Sequence, residues 1–202
     1  MVDSRMLLRC IHPLIFIFIT KTKTNFTDKD KDSFKPQGLS KDHKLGDGCY
    51  HIFLDVGSNI GVHTRFLYEP DLYPDAKTSI SIFEKEFGVH RNNTDFCAFG
   101  FEPNPAHENR HKMLMNEYDK MGWRYYYIQA GVSDEDGYIT FYRQGDQAYE
   151  EWGFTSNHDI QSNNGLVNVS TIRLATWLRD EIVDRKRSQI QCMESITQVP
   201  KL

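Results

Sequence analysis

The stretch His51-Ile-Phe-Leu-Asp-Val-Gly-Ser-Asn-Ile-Gly-Val-His63 decides how this chain is read. An apolar run stops at an acid, Asp55, passes through Gly57-x-x-x-Gly61, and turns amphipathic. A packing strand does not need the acid. An ordinary turn does not need two glycines with Asn59 between them. The pattern fits a buried strand over 50–55 whose carboxyl end meets a tight turn and then a helix. "IGVHTRFLY" (60–68) reads as that helix, stopping before Pro70.

Outward from this stretch, strand and helix patterns alternate. "AKTSISIFEKEFG" (76–88) places Ile80, Phe83 and Phe87 at helical spacing and ends at Gly88, which predicts an inserted helix. "FCAFGFE" (96–102) is a second buried strand ending in an acid. Asn104 then suits a helix N-cap, Pro105 the first helical position and Gly122 the C-terminal cap. "RYYYIQA" (124–130) is a third strand. "SDEDG" (133–137) carries turn chemistry and leads into "YITFY" (138–142), expected to pair as a hairpin. Residues 143–168 are polar and aperiodic, a lid or binding loop. "VSTIRLATWLRDEI" (169–182) predicts a short strand and a helix buried through Leu174, Trp177, Leu178 and Ile182. Alternating strands and helices argue for an α/β domain with a mainly parallel sheet, helices on both faces and a ligand site beyond the strands' carboxyl ends.

The 202 residues suffice for one domain with a real core. A net charge of -4 with interspersed signs gives no polyanion-binding face, so nucleic acid is not expected as a partner. Cys10, Cys49, Cys97 and Cys192 are scattered without a C-x-x-C pair. That spacing argues against a disulfide framework or a metal site, and Cys97 reads as a buried free thiol. Residues 1–20 are weakly hydrophobic, either a poor signal or anchor segment or a sticky tail. Any membrane association would run through residues 6–20. The compartment stays open between cytoplasm and a membrane-anchored place in the secretory pathway. Sequons at Asn25, Asn92 and Asn168 fit secretion, but among eleven asparagines they decide little alone. Residues 21–48 are polar and charged, including the Lys-Asp run at 28–32, and read as a disordered linker. The domain is expected over 49–183, with an irregular tail over 184–202.

Asp55 would sit at the end of the first strand, with backbone N–H groups of the following helix facing the cavity. Glu102 ends the second strand, where an acid in a nucleoside-binding α/β domain accepts from both ribose hydroxyls. The glycine spacing is not G-x-G-x-x-G, so the dinucleotide fingerprint is not met.

"FLDVGSNIGVHTRFLYEP", "GFEPNPAHENR", "QAGVSDEDGYITFYR" and "VSTIRLATWLRDEI", in this order, resemble the FkbM family of S-adenosylmethionine-dependent methyltransferases over about residues 50–183. The resemblance implies a Rossmann-like class I methyltransferase fold and methyl transfer to an oxygen of a sugar or other small molecule. It implies that Asp55, Gly57, Asn59 and Gly61 line the pocket for the amino-acid part of S-adenosyl-L-methionine, with Asp55 acting through water on the ammonium. Glu102 would hold the ribose, and Pro103 and Asn104 would shape the adenosine side. Ala130, Gly131 and Val132 would end the third strand beside the adenine. Residues 184–202 match nothing in the family pattern, so the expected sheet is incomplete at its C-terminal side, with low stability and weak or absent catalysis. Alternatives are a cofactor-binding remnant without turnover and an NAD-type oxidoreductase using Glu102 on ribose.

No catalytic residue follows from the residues alone. His63, His158 and Asp159 are base candidates, each read first as a packed or solvated side chain. Tyr125, Tyr126 and Tyr127 read as strand residues covering both sheet faces rather than as a stacking platform.

Overall fold

The computed structural model describes residues 42–143, 154–155 and 166–186. Seven strands and four α-helices are formed among them. In chain order these are β1 (His51–Val56), α1 (Val62–Tyr68), α2 (Lys77–Phe87), β2 (Phe96–Phe101), α3 (Glu108–Lys120), β3 (Arg124–Ile128), β4 (Gly131–Ser133), β5 (Gly137–Arg143), β6 (Phe154–Thr155), β7 (Leu166–Arg173) and α4 (Leu174–Glu181). The chain is therefore α/β, as its alternating patterns predict.

β1, β2 and β3 form a parallel sheet with β2 in the centre. β2 is buried at every position, because both of its faces are covered. Cys97, Phe99 and Phe101 point to one face and pack with Ile128, Trp177 and Ile182. Phe96 and Ala98 point to the other and pack with Leu67, Phe83, Tyr118 and Tyr125. Helices thus lie on both faces, α4 on the first and α1, α2 and α3 on the second. β1, read from sequence as a buried strand, is mostly half-buried, since it forms an edge of this sheet among the described residues.

The remaining strands make a second sheet in the order β4-β7-β5-β6. β4 runs parallel to β7, while β5 is antiparallel to both β7 and β6. The expected hairpin after "SDEDG" is not made. β7 inserts between β4 and β5, pairing Gly131 and Gly137 with the same residue, Thr171. Turn chemistry reverses a chain but does not decide which strand fills the gap; Ile139, Phe141 and Val169 pack together across the β5–β7 pair.

Two further expectations need correction. The linker reading of 21–48 fails for residues 42–48, which fold onto the end of α4. Leu45 is buried and its N–H donates to Glu181 Oε2 at 2.9 Å. Gly46 N–H donates to Glu181 O at 3.0 Å, and Lys44 Nζ donates to Val183 O at 2.5 Å. A helix end leaves carbonyls without partners, and this polar segment supplies donors to them. The other correction concerns the cysteines. Cys49 and Cys97 are joined in a disulfide, both fully buried, with 5.6 Å between their Cα atoms. Cys97 is therefore no free thiol. The pairing follows from the parallel register, which sets His51 beside Phe96 and so brings the entry to β1 against β2.

Candidate functional site

The carboxyl ends of β1 and β2 meet at the glycine turn. Gly57 and Ser58 N–H both donate to Phe101 O, at 2.9 and 3.1 Å, which ties the turn to the end of β2. Gly57, Asn59 and Gly61 all have positive φ, at 75°, 51° and 80°. A Cβ on Gly57 would meet nothing within 4 Å, so this position opens outward. A Cβ on Gly61 would fall 2.7 Å from Leu114 Cδ1. Gly61 therefore makes room for α3, the helix packed above the turn.

Glu102 joins the two strand ends directly. Its Oε2 accepts from Asn59 N–H at 2.8 Å and its Oε1 from Asn104 N–H at 2.8 Å. The side chain is largely buried, and His107 Nδ1 lies 3.7 Å from Oε1. Asn104 in turn caps the 3-10 turn over Pro105–His107, accepting from Ala106 N–H at 3.0 Å, as the Asn-Pro pattern predicts. Asp55 is buried at the end of β1. His63 Nδ1–H donates to its Oδ1 at 3.3 Å and the Thr64 hydroxyl to its Oδ2 at 3.4 Å. His63 is thus no isolated helix histidine: the bond to Asp55 raises its pKa, against a smaller opposing effect of burial.

Sequence reasoning missed the group that holds the turn from behind. His111, on α3, is fully buried. Its Nε2 lies 2.6 Å from Asn59 O, and its Nδ1 lies 2.6 Å from Tyr125 Oη. A carbonyl can only accept, so Nε2 carries the proton and Nδ1 accepts from the tyrosine hydroxyl. Burial lowers the His111 pKa, in keeping with this neutral tautomer. Tyr127 stacks on the imidazole at 4.4 Å, and Tyr126 stacks on Phe99 at 5.1 Å on the opposite face. The tyrosines cover both faces as expected. The Tyr125 hydroxyl occupies space that Gly100 leaves open: a Cβ there would lie 2.2 Å from it. The left-handed backbone of Asn59 is consequently gripped on both sides, its N–H by Glu102 and its C=O by His111.

The loop's own amides are largely committed. Gly57, Ser58 and Asn59 N–H donate as above, and Gly61 N–H donates to Ser58 O at 2.7 Å. The acceptors are less committed. Asn59 Oδ1 is buried and makes no hydrogen bond. Charged side chains at the turn are the carboxylates of Asp55 and Glu102, with His63 beside the first. Such a site suits a ligand offering an ammonium group and hydroxyls. It suits a diphosphate poorly, because the carboxylates repel it and few amides remain to cradle it.

Of the other expected site residues, Pro103 lies beside Gly131, with 3.9 Å between Pro103 Cβ and a Cβ built on Gly131. Gly131 and Val132 do not end β3. That strand stops at Ile128, the chain turns through the Ala130 N–H to Ile128 O bond of 2.8 Å, and both residues belong to β4. Val132 packs against the core that contains Ile172. His158 and Asp159 lie outside the described residues. Compared with protein-family models, curated proteins and solved structures, the chain finds no match in any of the three.

Proposed function

We propose that the chain is a methyltransferase of the FkbM type that uses S-adenosyl-L-methionine, acting on a hydroxyl of a sugar or other small molecule. One observation carries the reading. The glycine turn after β1 and the acid after β2 meet at 2.8 Å through Asn59 N–H and Glu102 Oε2, at the carboxyl ends of neighbouring parallel strands. In open α/β sheets, ligands bind in the crevice outside the carboxyl ends of the strands.

The residues present fit this cofactor. Each Glu102 oxygen uses one lone pair on a backbone N–H and keeps another for a ribose hydroxyl. The uncommitted, buried Asn59 Oδ1 and the buried Asp55 carboxylate supply acceptors for an ammonium. Before any ligand arrives the Asn59 backbone is pinned between Glu102 and His111, and the Asp55 carboxylate is held by His63 and Thr64. When bound, the cofactor would supply an electrophilic methyl group, and the chain's own contribution would be alignment and exclusion of water. His63, on the helix that follows the turn, can hold a proton and donates its Nδ1–H to Asp55.

Glycine spacing and the paired carboxylates favour this reading over an NAD-type oxidoreductase. Isothermal titration with S-adenosylhomocysteine and with NAD tests it: heat with the first and none with the second is the expected result. Heat with NAD alone would overturn it. Transfer of a labelled methyl group to a mixture of sugar and small-molecule acceptors then separates an enzyme from a cofactor-binding protein without turnover.

A further inference from the structure

We propose that Asn92 is a site of N-linked glycosylation, in a chain that folds in an oxidising compartment. The Asn92-Asn93-Thr94 sequon lies between α2 and β2, at the amino end of the sheet. Asn92 and Thr94 are both exposed. Asn92 Oδ1 accepts from Thr94 N–H at 3.1 Å, which closes a local turn over the sequon. That bond occupies the amide oxygen and leaves Nδ2, the atom that becomes glycosylated, out of the turn.

The platform beneath is fixed. Arg91 Nη2 donates to Leu67 O at 2.9 Å, Asn93 Nδ2 to Tyr68 O at 2.9 Å, and Arg124 Nη2 to Thr94 O at 2.7 Å. The six residues of β2 separate this turn from Glu102, about 20 Å at the usual strand rise. A glycan there would stand at the opposite end of the sheet from the glycine turn, so this inference does not rest on the proposed function.

The disulfide is an independent observation pointing to the same compartment. Cys49 and Cys97 are linked and fully buried. Structural disulfides persist where the surroundings are oxidising, which in eukaryotic cells is also where N-linked oligosaccharides are added. The Asn168 sequon differs: it lies within β7, where Asn168 is exposed but paired with Thr140 of β5, and the Ser170 hydroxyl donates to Gln129 O at 3.1 Å.

In the modification, Asn92 Nδ2 forms a bond to the anomeric carbon of an oligosaccharide carried on a polyprenyl diphosphate. The bond from that carbon to the diphosphate oxygen breaks, the lipid diphosphate leaves, and Nδ2 gives up one proton. The Oδ1 acceptor to Thr94 is untouched.

The test is expression of the full chain in eukaryotic cells, followed by peptide N-glycosidase in ¹⁸O-water and mass spectrometry without prior reduction. The expected result is ¹⁸O-aspartate at position 92 and a linked Cys49–Cys97 peptide pair. Thr94→Ala and Asn92→Gln should each abolish the label, Thr94→Ser should retain it, and Asn168→Gln should leave it unchanged. Recovery of unlabelled Asn92, or alkylation of Cys49 and Cys97 in the unfolded but unreduced chain, would overturn the proposal.

Discussion

Replacing Glu102 with Gln is the sharpest perturbation of the site, because it changes no volume and removes one acceptor. The carboxylate takes two N–H bonds of 2.8 Å, from Asn59 and Asn104. Hydrogen bonds to a charged group contribute about 1.5–3 kcal/mol each, and neutral ones about 0.5–1.5 kcal/mol. Glutamine can keep one of the two as a neutral bond, losing about 1 kcal/mol there. Its NH₂ group then faces the other backbone N–H, so that whole bond is lost and a buried donor is left without a partner. The sum is roughly 2–4 kcal/mol, drawn from hydrogen bonds alone. For a chain of this size that corresponds to a fall in Tm of roughly 5–15 °C. The assay is urea denaturation of wild type and Glu102→Gln, with the slope compared so that a midpoint shift means a stability change. S-adenosylhomocysteine titration of the folded variant, well below its midpoint, is expected to show no binding. A Glu102→Gln chain within about 0.5 kcal/mol of wild type, the range of an ordinary surface substitution, would refute the claim that this carboxylate ties the two strand ends together.

Gly57→Ala and Gly61→Ala should separate backbone strain from crowding: both force a residue into positive φ, costing about 1–2 kcal/mol, but only Gly61→Ala also drives a methyl against Leu114. It should cost about 1–3 kcal/mol more, measured by denaturation, and equal effects would contradict the close approach of α3. Cys49→Ser/Cys97→Ser removes a cross-link spanning 48 residues; the chain-entropy relation gives about 4 kcal/mol of lost stability, and an unchanged urea midpoint would count against the bond. His63 has a pKa raised above its unfolded value of 6.5 by its bond to Asp55. The stability this pair adds is fully present below that value and is lost as pH rises through the folded pKa. With His63 about a third exposed the loss is about 0.2–1 kcal/mol. The same deprotonation releases Asp55 for an ammonium, so S-adenosylhomocysteine should bind more tightly as pH rises from about 6 to about 8, and His63→Gln should flatten that trend in a calorimetric series.

Much of this arrangement is legible in the residues because it depends on local chemistry. The apolar run ending at Asp55, the glycines at 57 and 61, and the Asn104-Pro105 entry each specify their own backbone, and each occurs where the sequence places it. Glu102 and the turn are separated by an inserted helix, yet parallel pairing of β1 with β2 brings them together. What escaped reading depends on partners distant in sequence. The spacing of Cys49 and Cys97 carries no signature, since their meeting is fixed by strand register. Leu45 is a single apolar residue in a charged stretch, and its burial rests on Glu181, 136 residues away. The place of β7 between β4 and β5 is a choice among strands that turn residues do not encode. His111 did leave a signal. It shares a helical face with Leu114, Met115 and Tyr118 at spacings of three, four and seven, which marks it as inward-facing. Only the third dimension shows that its inward partners are Asn59 O and the Tyr125 hydroxyl.

The most direct measurement is an amide NMR titration of the full chain with S-adenosylhomocysteine. Saturable shifts concentrated at residues 55–61, at Glu102 and Asn104, and at residues 131–132 are the expected result, since those amides surround the place where the two strand ends meet. Shifts confined to β5 and β7, or a spectrum unmoved by the ligand, would contradict the assignment of this site to an adenosyl cofactor.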